Sequence, residues 1–169
     1  DGEVINADSR QFYRDLNIGT AKVTFEEMQR IPHHLLDVLD PDEPCSIGWF
    51  KKKADACIAD ILARGKIPFL VGGSGLFVSA VCDNYSIPPP GKSLLGEEEK
   101  SNEELFFELQ KVDPEYAKQM DGVKKRRIIR ALEVFRATGK KMSSFQKKGD
   151  PLWQSMIVSI FSDPDVLNT

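Results

Sequence analysis

Two rhythms of apolar positions organise the first half of the chain. Glu3-Val4-Ile5-Asn6-Ala7 reads as a buried strand that begins almost at the first residue. The spacing then lengthens: Phe50, Ala54, Cys57, Ile58 and Ile61 fall at i, i+4, i+7, i+8 and i+11, one face of a helix. Ser46 stands where an N-cap is expected, and Gly65 where a helix C′ residue is expected. Ile67-Pro68-Phe69-Leu70-Val71 is apolar without interruption, the pattern of a short strand covered on both faces. Pro68 has no N–H for a ladder, so it belongs near a strand start or on an edge. Gly72-Gly73-Ser74-Gly75 follows, and Leu76 to Val81 opens another helix. Strand, helix, strand, Gly-rich turn and helix predict an α/β fold with a parallel sheet.

The rhythm changes after Asn84. Ile87-Pro88-Pro89-Pro90-Gly91 and Gly96-Glu97-Glu98-Glu99-Lys100 read as an extended, solvated linker. Leu105, Phe106, Leu109 and Val112 restore a helical spacing, and Asp113-Pro114 makes a cap followed by an N1 proline. A further helix over about Val123 to Ala137 places Ile128, Leu132 and Phe135 on one face and Arg126, Arg130 and Glu133 on the other. Met156 to Phe161 is the last strand candidate. The pattern divides the chain into an α/β core over 1–84, a linker with a helical insertion over 85–122, and a return to the core over 123–169. The abrupt opening leads us to expect a first strand upstream of residue 1.

Composition narrows the class. With 41% hydrophobic residues and 10 Phe the chain can fill a core, which excludes full disorder. Its longest apolar stretches, Ile67 to Val71 and Leu76 to Cys82, fall far short of the roughly 18 residues that cross a bilayer. No secretion signal opens the sequence. The expectation is a soluble, cytoplasmic monomer with no membrane contact. A net charge of -3 argues against a strongly cationic nucleic-acid binder and leaves room for a local basic patch. Cys45, Cys57 and Cys82 form no CxxC pair, and two histidines supply little for zinc; a reducing compartment suits them. His33 and His34 are adjacent, so their side chains diverge and make no simple helical metal pair; capping or RNA contact suits them better.

Four places could carry chemistry. Asp8 ends the first strand, and in open α/β sheets ligands bind beyond the carboxyl ends of strands, where a carboxylate can serve as a base. The plainer alternative is an Asx turn or a helix cap. Gly72-Gly73-Ser74-Gly75 lets backbone approach a ligand and offers N–H groups to an anion, although it matches neither a Walker A motif nor GxGxxG; the alternative is a tight turn. Ile18-Gly19-Thr20-Ala21-Lys22 joins a glycine, a hydroxyl and a cation suited to phosphate, or is simply a solvated loop. Lys124-Lys125-Arg126-Arg127 with Arg130 is the dense basic cluster, either a solvated helix face or a contact for a phosphate backbone.

Several segments together resemble the tRNA dimethylallyltransferases, also called tRNA isopentenyltransferases, of bacterial type. They are Asp8-Ser9-Arg10-Gln11-Phe12-Tyr13, Asp15-Leu16-Asn17-Ile18-Gly19-Thr20-Ala21-Lys22 and Ile31-Pro32-His33-His34-Leu35-Leu36-Asp37. Asp40-Pro41, Ile67 to Phe77 and Arg127-Ile128-Ile129-Arg130-Ala131-Leu132-Glu133-Val134 continue the likeness, which runs from about Gly2 to Gln146. The resemblance implies a P-loop-NTPase-like parallel sheet flanked by helices, with a helical insertion. It implies transfer of a dimethylallyl group from dimethylallyl diphosphate to N6 of the adenosine beside the anticodon, in a tRNA anticodon stem-loop.

The same resemblance implies roles. Asp8 corresponds to the family's base, and Ser74 to the hydroxyl of its Gly-Gly-Thr, with a methyl lost. Ser9, Gln11, Arg126, Arg127 and Arg130 are expected to meet tRNA; Thr20, Lys22 and Gly73 are expected to meet the diphosphate. Mg2+ is the expected cofactor, with no metal ligand assigned among these residues. The family's P-loop with its Lys-Thr is expected upstream of Gly2, and its Arg-bearing helix and C-terminal helical region downstream of Thr169. The insertion around Tyr85 to Asn102 also looks short. These departures predict that the 169 residues are a piece of a longer enzyme. Two rival readings stand beside this one: an adenylate isopentenyltransferase of cytokinin synthesis, and a non-catalytic RNA-binding remnant.

Overall fold

The computed structural model describes residues 1–89, 99–120, 124–145 and 147–160. Its sheet has three strands in the order β2-β1-β3: β1 Gly2–Asn6, β2 His33–His34 and β3 Ile67–Val71. Both pairings are parallel, with Val4 opposite His33 and Phe69, and Ile5 opposite His34 and Leu70. Pro68 is accommodated as the second residue of β3, on an edge of this sheet. The two-residue β2 carries no periodicity of its own, which is why the sequence pattern did not predict it.

Helix α1, Ile47–Ala63, crosses from β2 to β3 and buries Phe50, Ala54, Ile58 and Ile61 against the sheet. Its start is capped as expected, the Ser46 hydroxyl accepting from Trp49 N at 3.1 Å. Its end turns through Gly65, whose φ of +69° is left-handed. Helix α2, Gly75–Cys82, follows the glycine loop and packs on α1. Ile5, Phe12, Phe50, Ile61 and Val81 build the first core cluster, and Phe77 and Trp153 pack against it.

A second cluster forms where α3 (Asn102–Val112), α4 (Pro114–Lys118) and α5 (Lys125–Thr138) pack together with a 3-10 turn, Met142–Ser144. Ser101 and Glu104 cap α3 reciprocally, and Asp113 caps α4 by accepting from Tyr116 N at 3.1 Å. The buried Asp113 carboxylate also accepts from Ser143 N at 2.9 Å, tying the 3-10 turn to α4. On α5 the buried positions are Ile128, Ala131, Leu132 and Val134; Phe135 is half-buried, Val134 taking the inward place expected of it.

Two expectations need correction. The apolar run of β3 predicts cover on both faces, yet Ile67, Phe69 and Val71 are 58%, 52% and 53% exposed. The reason is that α1 covers one face of the sheet, and among the described residues no element lies on the other. Met156–Ile160 makes no strand, and Ile160 is 96% exposed. Its β-prone residues meet no neighbouring strand among the described residues, and an unpaired strand gains nothing for its backbone groups. Phe161, the end of that strand candidate, lies outside the described residues.

Candidate active site

The parallel pairing of β1 with β3 sets their carboxyl ends side by side, and the two candidate loops leave from there. Ala7 N donates to Val71 O at 2.7 Å, and Ser74 N returns a bond to Ala7 O at 3.2 Å. This approach requires Gly72. A Cβ on it would stand 2.3 Å from the Ala7 carbonyl carbon and 2.5 Å from Asp8 N. A Cβ on Gly73 would lie 3.9 Å from Asp8 Oδ2, so the Asp8 carboxylate and the glycine turn face each other.

Ser74 is the N-cap residue of α2 but makes no side-chain cap bond. Its Oγ instead accepts from Ser9 N at 3.1 Å, joining the end of β3 to the segment after β1. Asp8 is held from both sides. Asp8 N donates to Asn6 Oδ1 at 3.0 Å, and its own Oδ1 accepts from Arg10 N at 2.8 Å. The Asx turn and the site carboxylate are therefore the same residue. Asn6, which the sequence reading passed over, is buried and donates to Leu35 O at 3.0 Å, pinning the strand end.

Phe12 anchors the segment that displays Ser9 and Gln11. Fully buried, it stacks with Phe50 and Phe77 at centroid separations of 5.6 and 6.1 Å. Gln11 Nε2 donates to Thr20 O at 3.0 Å, so Gln11 braces the loop that follows. Within that loop the Thr20 hydroxyl donates to Leu16 O at 2.5 Å, and Lys22 Nζ donates to Tyr13 O at 2.7 Å.

The structure thus brings Asp8, Ser9, Gln11, Gly73 and Ser74 together and attaches Thr20 and Lys22 to them through Gln11 and Tyr13. The N–H groups of Ser74 and Gly75 bond Ala7 O and Gly73 O, so these two are committed inside the turn. Arg126, Arg127 and Arg130 lie on α5 in the second cluster; Arg126 and Arg127 are exposed, and Arg130 Nη2 donates to Pro89 O at 2.7 Å. His33 and His34 form β2, where His34 Nε2 lies 2.7 Å from Glu3 Oε2 and His33 Nδ1 lies 2.8 Å from Ile31 O. Burial pushes the Cys45 and Cys57 thiols up, away from thiolate chemistry. Among the described residues no three His, Cys, Asp or Glu side chains are grouped to hold a metal ion. No described helix is long and apolar enough to cross a membrane.

Comparison with known proteins adds the family. The profile of the IPP transferases matches residues 11–169. A tRNA dimethylallyltransferase of Oceanobacillus iheyensis is 42% identical over 98% of this chain and 56% of its own length. One from Roseiflexus castenholzii is 47% identical over 82% of this chain and 48% of its own. Among solved structures, a eukaryotic dimethylallyltransferase acting on tRNA superimposes with a TM-score of 0.73 at 32% identity, covering 85% of this chain and 37% of that one. The full-length tRNA isopentenylpyrophosphate transferase of Bacillus halodurans gives a TM-score of 0.51 at 41% identity, over 82% and 48%. The chain spans about half the length of the relatives it matches.

Proposed function

The chain belongs to the IPP transferase family, and from that premise we propose that the complete protein transfers a dimethylallyl group from dimethylallyl diphosphate to N6 of the adenosine beside a tRNA anticodon. The observation that carries the proposal is the junction of the two strand ends, where Asp8 faces the Gly73 turn and Ser74 Oγ holds Ser9 N at 3.1 Å. The reading is supported by the place of this carboxylate and hydroxyl at the carboxyl ends of β1 and β3, since α/β sheets bind ligands beyond such ends.

In this proposal the N6 nitrogen forms a bond to C1 of the dimethylallyl group while the C1–O bond to diphosphate breaks. The leaving electron pair departs on the diphosphate, and the N6 proton passes to the Asp8 carboxylate. The base matters because the exocyclic amine has its lone pair delocalised into the ring, so it becomes nucleophilic as its proton is removed. Reaching N6 requires the adenosine to leave its stack, at a cost of a few kcal/mol. Ser9 and Gln11, on the backbone anchored by Phe12, would receive the base, and Arg126, Arg127 and Arg130 of α5 would meet the phosphate backbone. Gly73 lies where a diphosphate oxygen could approach backbone. Mg2+, when bound with the diphosphate, would supply charge screening for the leaving group; among the described residues no three His, Cys, Asp or Glu side chains are grouped to hold it. A cytoplasmic location and a monomeric state belong to the same proposal.

Names of relatives that act on tRNA favour this reading over adenylate prenylation. The test is an acceptor comparison with the complete protein: an anticodon stem-loop against free AMP, each with dimethylallyl diphosphate. Prenylated adenosine in the stem-loop is the expected product. Modification of AMP alone would remove the tRNA reading, and salt-sensitive RNA binding without transfer would leave a non-catalytic binder.

A further inference from the structure

A buried ammonium lies in the loop that Gln11 ties to the proposed site. The Lys22 side chain is 4% exposed, and its Nζ donates to Tyr13 O at 2.7 Å and to Asp37 Oδ1 at 2.5 Å. Three segments meet at this ammonium: the loop over 15–22, the segment that displays Ser9 and Gln11, and the turn after β2. The same segments are tied again where Gln11 Nε2 donates to Thr20 O at 3.0 Å and Asp37 N donates to Gln11 O at 3.4 Å. Ala21 and Asp37 hold φ values of +47° and +53°, a left-handed conformation that non-glycine residues keep when their surroundings impose it. An ammonium serving a diphosphate would face the crevice; this one is enclosed and points at two oxygens of the protein itself.

We propose that Lys22 and Asp37 form a positioning latch, which fixes the backbone of Ser9 to Gln11 for the target adenosine. The proposal rests on the transfer reading above. With the latch closed, Gln11 is presented in one orientation before the base arrives, so ordering it costs nothing at the moment of reaction. Opening the latch frees the 15–22 loop without touching the Asp8 carboxylate.

The test uses the complete protein with Lys22→Met, Asp37→Ala and Asp37→Asn. The first two are expected to lower kcat/KM for an anticodon stem-loop by roughly 10- to 100-fold, while KM for dimethylallyl diphosphate stays at the wild-type value. They are also expected to speed amide hydrogen exchange in residues 11–22 by about tenfold and to leave α1 unchanged. Asp37→Asn keeps an oxygen acceptor and tolerates the left-handed φ, so it is expected to recover most of the loss. A raised KM for dimethylallyl diphosphate would overturn the latch in favour of direct diphosphate contact. Unchanged kcat/KM in Lys22→Met and Asp37→Ala, with an active wild type, would overturn it alone. A wild type that transfers nothing to the stem-loop would bring down the transfer reading and the positioning role together.

Discussion

At the scale of single residues, the site depends on how closely two strand ends approach. Gly72 permits the approach, since any Cβ there would overlap the Ala7 carbonyl carbon at 2.3 Å. Ser74 uses it, its Oγ accepting from Ser9 N at 3.1 Å. Ser74→Ala leaves that half-buried N–H without its acceptor, and we expect a loss of about 1 kcal/mol in thermal or chemical unfolding. Ser74→Thr keeps the oxygen and is expected to unfold like the wild type; equal stability of Ala and Ser variants would show that the bond contributes nothing. Asp8 and Ser74 were legible in the sequence because each ends an apolar run, and the sheet rule then brings such ends together. Lys22 was legible as a cation in a loop, but its partner Asp37 is 15 residues away, with no local signal joining them. Its role depends on a tertiary contact.

At the scale of elements, helices were easier to read than strands. The cap at Ser46, the turn at Gly65 and the Asp113-Pro114 start are written within a few residues of the helices they bound. Strand β2 was not readable, because two residues of sheet are defined by Val4 and Ile5 across the ladder. The same holds for Glu3, a carboxylate in the buried first strand. Its partners Arg64, Lys66 and His34 come from α1's end, the start of β3 and β2, and the Arg64 Nη2 bond is 2.7 Å. Arg64 first, then Lys66 and His34, hold the Glu3 carboxyl well below its ordinary value of 4.5. A depressed acid stabilises the fold above its unfolded pKa, and that contribution is lost as pH falls toward the folded pKa. The melting temperature is therefore expected to decline below about pH 4.5. Glu3→Gln should melt lower at neutral pH and show a shallower acid decline; an equally steep decline in Glu3→Gln would place the acid sensitivity elsewhere.

At the scale of the whole molecule, two apolar clusters sit along one chain, and one face of the sheet is uncovered among the described residues. The continuous run of β3 is the sequence of a strand buried on both sides, yet among the described residues one side of it is left open. The exposed side of β3, made by Ile67, Phe69 and Val71, is expected to bind the dye ANS in the 169-residue chain more strongly than in the complete protein. Phe69→Ser should reduce that fluorescence, and equal dye binding by the chain and the complete protein would show that the face is not covered in the longer molecule. The α/β class, the parallel pairing and the helices α3 to α5 were all legible, because periodicity and punctuation are local; the part of the expected linker over Pro90 to Glu98 lies outside the described residues. The open face of the sheet was not legible, since the apolar run of β3 carries no mark of which face is left uncovered. The central claim, that the joined strand ends form a prenyl-transfer site with Asp8 as base, is tested most directly by turnover of Asp8→Ala in the complete protein. The measurement is prenylated adenosine formed in an anticodon stem-loop under single-turnover conditions, beside the affinity for the same stem-loop. The account predicts a fall in rate of about 10²-fold or more with affinity little changed; a variant that turns over near the wild-type rate would contradict it.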